Sequence, residues 1–172
     1  LASPEKVRAA LRKVGFAHIY EVARGADIGA VEGAEEFIAN VPTGKKPFLA
    51  THSCAKALCP HKRNLTDDQL KTLGNAGGVV GINFESSFLK EGSHYATVDQ
   101  IITHLNYMVD KAGIEHVGFG SDFDGIDTTG ELVDYTGFDK VIDAMHKHYN
   151  EDQIDMLLHG NVLRAMEDII GK

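Results

Sequence analysis

Apolar residues recur at two different spacings along the chain, and these spacings predict alternating strands and helices. Short uninterrupted apolar runs are too short for helices and indicate buried strands. These runs cover residues 47–51, 79–84 and 116–121. Apolar positions three or four residues apart predict a helix over 97–113. Thr66 is placed to cap another helix that ends near Gly77 and Gly78.

The ends of the chain add further predicted elements. Two or three helices are expected towards the C-terminus, over residues 138–149, 151–158 and 161–170. The first 44 residues are less regular. They suggest a helix over 3–15, strands over 16–22 and 26–28, and a helix over about 31–41. The order of strands and helices predicts an α/β fold with a parallel sheet.

Composition and charge narrow the classes of function. A chain of 172 residues fits one domain, with 1–44 as an atypical front part. The formal net charge is -8 and no long basic run occurs, so nucleic acid is not expected as a partner. No apolar run approaches the ~20 residues of a membrane span. The two cysteines, Cys54 and Cys59, are expected to be reduced thiols, and we expect a cytoplasmic protein.

Polar residues follow the predicted strands at the edge where a parallel α/β fold places its working groups. His52 follows the first strand, Asn83 and Glu85 lie at the end of the second and just after it, and Asp122 follows the third. The histidine could ligate a transition metal or be a hydrogen-bonded structural residue. Asp122 lies among glycines that let a backbone approach a ligand, although an aspartate can also cap a turn there.

Arg63 lies in the loop after the first of these strands, on the same edge. Its planar guanidinium can bind a carboxylate through two hydrogen bonds. The alternative is a surface salt bridge with Asp67 or Asp68. The sequence alone leaves both interpretations open.

Three motifs occur together in the order and spacing of one known family. They are Thr-His-Ser at 51–53, Arg-Asn at 63–64 and Gly-Ser-Asp-Phe-Asp-Gly at 120–125, with a glycine-rich stretch over 75–84. From about Lys45 to Ile170 the chain resembles the renal (membrane) dipeptidase family of zinc metallopeptidases, within the amidohydrolase-like barrels. The resemblance implies hydrolysis of dipeptides.

The resemblance also implies a (β/α)8 barrel with two zinc ions. By it, His52 would be a zinc ligand, Arg63 would hold the substrate carboxylate, and Asp122 would be the acid/base for the water and the leaving amine. The full set of zinc ligands is not found in the sequence. The family's His-x-Asp pair is missing, and Ala30 stands about where a further zinc histidine is expected.

A barrel of this kind needs about 250 residues, so we expect the C-terminal half of a TIM-like barrel forming one partial domain over 1–172, with 45–172 as its dipeptidase-like part. Its open strand edges would need a cover, such as a homo-oligomer or a complementing N-terminal half. Two other functions stay open. One is a non-catalytic relic or interaction module of the same fold, and the other is a deacylase of N-acyl amino acids.

Overall fold

The computed structural model describes residues 47–126 and 130–170, all within the compact unit Glu36–Lys172. Three parallel strands form one sheet in the order β1-β2-β3. The strands are β1 (Leu49–Ser53), β2 (Val79–Ile82) and β3 (Val117–Phe119). The helices are α1 (Asp67–Asn75), α2 (Ser86–Leu89), α3 (Val98–Ala112), α4 (Asp139–Met145), α5 (Glu151–Asp155) and α6 (Asn161–Ile170).

All three strands predicted within this part of the chain are present, with small shifts in their bounds. The first begins later than predicted and runs through His52 to Ser53, so the histidine lies within β1. The other two are shorter than their apolar runs. The prediction over 3–41 lies outside the described residues.

Local capping explains where the first long helices begin. The Thr66 side chain accepts a hydrogen bond from the backbone N–H of Gln69, whose side chain accepts one from the Thr66 N–H. The same reciprocal box joins Thr97 and Gln100 at the start of α3. Each box satisfies two backbone donors that a helix start leaves without an intrahelical partner.

The C-terminal helices differ most from the prediction. The helix predicted over 138–149 ends at Met145. A π-helical turn, Met156–Gly160, then joins α5 to α6. The four-residue helix α2 was not predicted, because one turn is too short to show an apolar period.

The core lies between the sheet and helices α1 and α3. Every residue of β2 is buried, as expected for a central parallel strand. Leu73 of α1 and Leu105 and Met108 of α3 are buried with it in one apolar cluster. Each such side chain contributes about 1.5–3 kcal/mol when fully buried. This core fixes the three strands beside one another.

Gly120 lets the chain after β3 pass close to β1. A Cβ atom at this position would overlap the carbonyl oxygen of Thr51. The Gly120 N–H meanwhile donates to the carbonyl of Ile82, 3.1 Å away. The absence of a side chain therefore brings Asp122 towards the end of β1.

Candidate active site

The ends of the three strands bring the predicted site residues together. The register pairs Ile82 with Ser53 on one side and with Phe119 on the other. His52, Asn83 and Asp122 therefore emerge at the same edge of the sheet. Their sequence separation is large, and only the parallel pairing makes them neighbours.

His52 has both ring nitrogens in use. Its Nε2 lies 2.8 Å from Nη2 of Arg63, and its Nδ1 lies 2.7 Å from the hydroxyl of Thr51. Because an arginine can only donate, Nε2 must be the acceptor. The proton of the neutral ring is therefore assigned to Nδ1, which donates to Thr51. His52 thus presents a lone pair at Nε2.

Asp122 faces the same nitrogen from the third strand. Its Oδ2 lies 4.0 Å from His52 Nε2 and accepts a hydrogen bond from the Asn83 amide at 3.0 Å. Asp122 has φ 70°, a left-handed conformation that is uncommon outside glycine. Gly125 packs against the carboxylate, since a Cβ there would overlap Oδ1. The tight turn around Asp122 is therefore built to accommodate its side chain.

Arg63 lies in a loop that the neighbouring Asn64 side chain holds through three hydrogen bonds. The buried Asn64 side chain accepts from the N–H of Cys54 at 3.1 Å and donates to the carbonyls of Cys59 and Phe88 at 2.9 and 2.8 Å. The Arg63 guanidinium also lies over the ring of Phe88, 5.3 Å from its centroid. The negative face of the aromatic ring attracts the positive guanidinium, which helps to hold Arg63 in this position.

The alternative partners of Arg63 are engaged elsewhere or exposed. Asp67 accepts hydrogen bonds from the Tyr107 hydroxyl at 3.0 Å, and Asp68 is exposed on α1. Among the described residues, no ion pair joins Arg63 to either of them. The guanidinium points to the edge of the sheet instead.

A cavity of about 470 Å³ opens at this edge. It is lined by Arg63, Glu85, Phe88, Asp122, Asp124, Gly125 and Ile126. It combines one cation, three carboxylates and two apolar side chains. This combination suits a small molecule that carries a carboxylate together with a positive or uncharged polar end.

The two cysteines of the loop are part of the scaffold. Burial raises the pKa of the Cys54 thiol far above its usual range, and it also raises the pKa of Cys59. Their thiols donate to the carbonyls of Asn83 and Ser87, each at 3.2 Å. A reactive thiolate needs a lowered pKa, so neither cysteine is placed to act as a nucleophile.

The metal-binding capacity of the described residues is incomplete. His52 Nε2 and Asp122 Oδ2 are two donors of suitable type. Within 47–126 and 130–170, no group of three or more histidine, cysteine, aspartate or glutamate side chains could hold a metal ion. These residues alone therefore do not fit a complete zinc centre.

Sequence reasoning did not assign a role to Phe88 or to the side chain of Asn83. Phe88 lies in the short helix α2, which has no sequence signature. Asn83 lies at a strand end, where polar residues often belong to the functional site, so its position was a usable signal. The glycines around Asp122 were a usable signal, because Gly120 and Gly125 both sit where a side chain would collide.

The chain is similar to known proteins over most of its length. The family model "Membrane dipeptidase (Peptidase family M19)" matches residues 30–170. An uncharacterized dipeptidase of Schizosaccharomyces pombe is 41% identical over 125 residues, which is 70% of this chain and 30% of that protein.

Two solved structures share the fold at 36% sequence identity. One is the dipeptidase AC, a metallopeptidase of family M19, with a TM-score of 0.74 over 81% of this chain and 42% of that one. The other is a metallopeptidase from Rhodobacter sphaeroides bound to a phosphinate mimic of the dipeptide L-Ala-D-Ala. Its TM-score is 0.71, over 79% of this chain and 39% of that one.

The chain spans less than half the length of the curated relatives that it matches, between 30% and 47%. Among the described helices, none is both long enough and apolar enough to cross a lipid bilayer.

Proposed function

The chain belongs to the membrane dipeptidase family, peptidase family M19, and we propose that it carries part of a site that hydrolyses dipeptides. The observation that carries this proposal is the convergence of Arg63 and Asp122 on one cavity, with His52 between them. In the same proposal, the described residues form part of a TIM-like barrel, with 1–172 as a single partial domain.

Arg63 would bind the carboxylate of the substrate. Its guanidinium lines the cavity, is half-buried and lies over the Phe88 ring, which limits its freedom before a ligand arrives. A preorganised fork loses less entropy when it forms two hydrogen bonds to a carboxylate. The cavity thus favours substrates with a free C-terminal carboxylate.

Asp122 would transfer the proton. In hydrolysis the water oxygen bonds to the carbonyl carbon, the C–N bond breaks, and one proton moves from the water to the leaving nitrogen. A carboxylate in the cavity can accept that proton and return it to the amine. Asp122 supports this role because its side chain is partly exposed at 24% and faces the cavity.

His52 would be one ligand of a zinc ion, since its tautomer presents a lone pair at Nε2. The further ligands would come from outside the described residues. A homo-oligomer or a complementing N-terminal half is proposed to supply the rest of the barrel, and a cytoplasmic location belongs to the same proposal.

The arginine does not by itself distinguish dipeptides from N-acyl amino acids, because both carry the carboxylate. The three carboxylates in the cavity favour the dipeptide, whose free amino group is positive. A relic or interaction module would retain Arg63 and Asp122 without turnover.

The test uses the full chain. It is purified without chelator, its zinc content is measured, and it is assayed with L-Ala-D-Ala, L-Ala-L-Ala and N-acetyl-alanine, with and without added zinc. Hydrolysis of the dipeptides that is abolished in Asp122→Asn supports the proposal. Faster cleavage of N-acetyl-alanine would indicate a deacylase. No turnover with zinc, and none after addition of a separately expressed N-terminal half of an M19 relative, would contradict it.

A further inference from the structure

We infer that Asn83 is a positioning residue for Asp122: its side-chain amide donates to one carboxylate oxygen and so holds the side chain at the lining of the cavity. The inference rests on the proposed function for its catalytic meaning. The contact itself is a property of the fold and can be tested without turnover.

Asn83 is completely buried, and both ends of its side chain are satisfied. Nδ2 donates to Asp122 Oδ2 at 3.0 Å, and Oδ1 accepts from the N–H of Glu85 at 2.6 Å. The reverse orientation would put the amide oxygen against a carboxylate and the amide N–H₂ against another N–H. The hydrogen-bond partners therefore fix the orientation of this amide.

The backbone of Asn83 is pinned as well as its side chain. Its N–H donates to the carbonyl of Ser53 in β1 at 3.4 Å, and its own carbonyl accepts from the Cys54 thiol at 3.2 Å. The residue follows directly on the fully buried strand β2. The amide is thus attached to the end of the buried central strand, and groups on strands are positioned more precisely than groups on loops.

Asp122 stands in a tight turn directly after the third strand. At φ 70° it stands in a turn closed by a hydrogen bond from the Gly125 N–H to its carbonyl at 2.9 Å. Oδ2 accepts from Asn83, whereas Oδ1 accepts no hydrogen bond from the described residues. The contact with Asn83 is therefore the side-chain hydrogen bond that orients this carboxylate among the described residues.

A purely local role for Asn83 would be a turn in which Oδ1 accepts the Glu85 N–H. Aspartate and serine can make that turn as well as asparagine can. An ionised aspartate has no donor for the Asp122 carboxylate, whereas the asparagine amide accepts from Glu85 and donates to Asp122 at the same time. The contact with Asp122 therefore distinguishes Asn83 from a turn-forming residue.

The first measurement is a double-mutant cycle on the full chain, with Asn83→Leu, Asp122→Ala and the double variant unfolded in urea. The hydrogen bond predicts that the unfolding equilibrium constants deviate from additivity by about tenfold. If Asn83→Leu does not fold, Asn83→Ala replaces it, since alanine also has no donor for the carboxylate. Additive effects would overturn the inference whether or not the protein hydrolyses dipeptides.

The second measurement uses Asn83→Asp, which keeps the acceptor for Glu85 and removes the donor to Asp122. We expect kcat for L-Ala-D-Ala to fall about 10²-fold with KM within about twofold. The matched control is Asn161→Asp. Asn161 is also buried, and its Nδ2 donates to the carbonyls of Ile114 and Val117 at 2.7 and 2.8 Å, away from the cavity.

The control should lose stability and keep kcat. Equal kcat losses in Asn83→Asp and Asn161→Asp would overturn the inference, since a general loss of stability would then explain both. If the double-mutant cycle shows coupling but the wild-type chain has no turnover with zinc, either alone or with the N-terminal half of an M19 relative, the proposed function is refuted and the positioning of Asp122 stays supported.

Discussion

The guanidinium of Arg63 donates a hydrogen bond to Nε2 of His52, at 2.8 Å. Nε2 has a single lone pair, so this bond and ligation of a metal by the same atom exclude each other. In the proposed function His52 Nε2 would hold a zinc ion and Arg63 would bind the substrate carboxylate, so the two side chains would not keep this hydrogen bond. The roles that the sequence suggested separately for His52 and Arg63 thus both depend on Nε2 of His52.

The first prediction concerns Arg63. Arg63→Ala should raise KM for a dipeptide about 10–100-fold, because hydrogen bonds to a charged group contribute about 1.5–3 kcal/mol, and kcat should change little. Steady-state kinetics measures both constants. Lys62→Ala removes the neighbouring, exposed cation and is the control. A similar rise in KM for both variants would indicate general attraction by positive charge rather than specific binding of the substrate carboxylate by Arg63.

Asp122→Asn should change kcat rather than KM. Loss of the proton-transferring group should depress kcat by about 10²–10⁴-fold with a small change in KM. The exposed carboxylate of Asp143 on α4 offers the same substitution outside the cavity, and Asp143→Asn should behave like the wild type. Retained kcat in Asp122→Asn would remove Asp122 from the chemistry.

Gly125→Ala tests the packing around the Asp122 carboxylate. The added Cβ would overlap Oδ1, so the side chain must rotate away from its position. We expect kcat to fall about 10²-fold, as for a misplacement of about 1 Å. Gly160→Ala is the control, because its Cβ would meet its nearest neighbour at 3.6 Å. An active Gly125→Ala enzyme would show that the orientation of Asp122 is not critical.

Because of the buried side chain of His104, we expect the folded state to lose stability at acidic pH. It is buried, its Nδ1 accepts the N–H of Ala55 at 3.1 Å, and its Nε2 lies 3.0 Å from the carbonyl of Leu89. Burial lowers the pKa of this histidine, and the contact with the Leu89 carbonyl offsets part of the shift. Among residues 47–126 and 130–170, no charged side chain contributes to this shift in pKa.

The sign of the effect follows from the lowered pKa. Above about pH 6.5 neither the folded nor the unfolded state carries the proton. As the pH falls below that value the unfolded state takes it up first, so stability declines until the lower pKa of the folded state is reached. Urea unfolding at pH 7.5 and 5.5 should show a smaller decline for His104→Gln than for the exposed control His148→Gln. Equal declines would locate the acid sensitivity elsewhere.

The sequence by itself determined the parallel α/β arrangement and the family of this chain. Apolar runs and helical spacing depend on which side of each element is buried. They therefore predicted the three strands and the long helices with small shifts in their bounds. The sequence also indicated which polar residues stand at strand ends. The short helix α2 and the π-helical turn escaped it, because neither has a period long enough to detect.

Only the tertiary structure decided how those polar residues meet. Arg63 contacts His52 rather than an acidic neighbour in the chain, and Asn83 contacts Asp122 across 39 positions. These partners are set by the strand register and by close approaches at Gly120 and Gly125. Such contacts join distant parts of the chain through the packed sheet, so they cannot be predicted from a local pattern of residues.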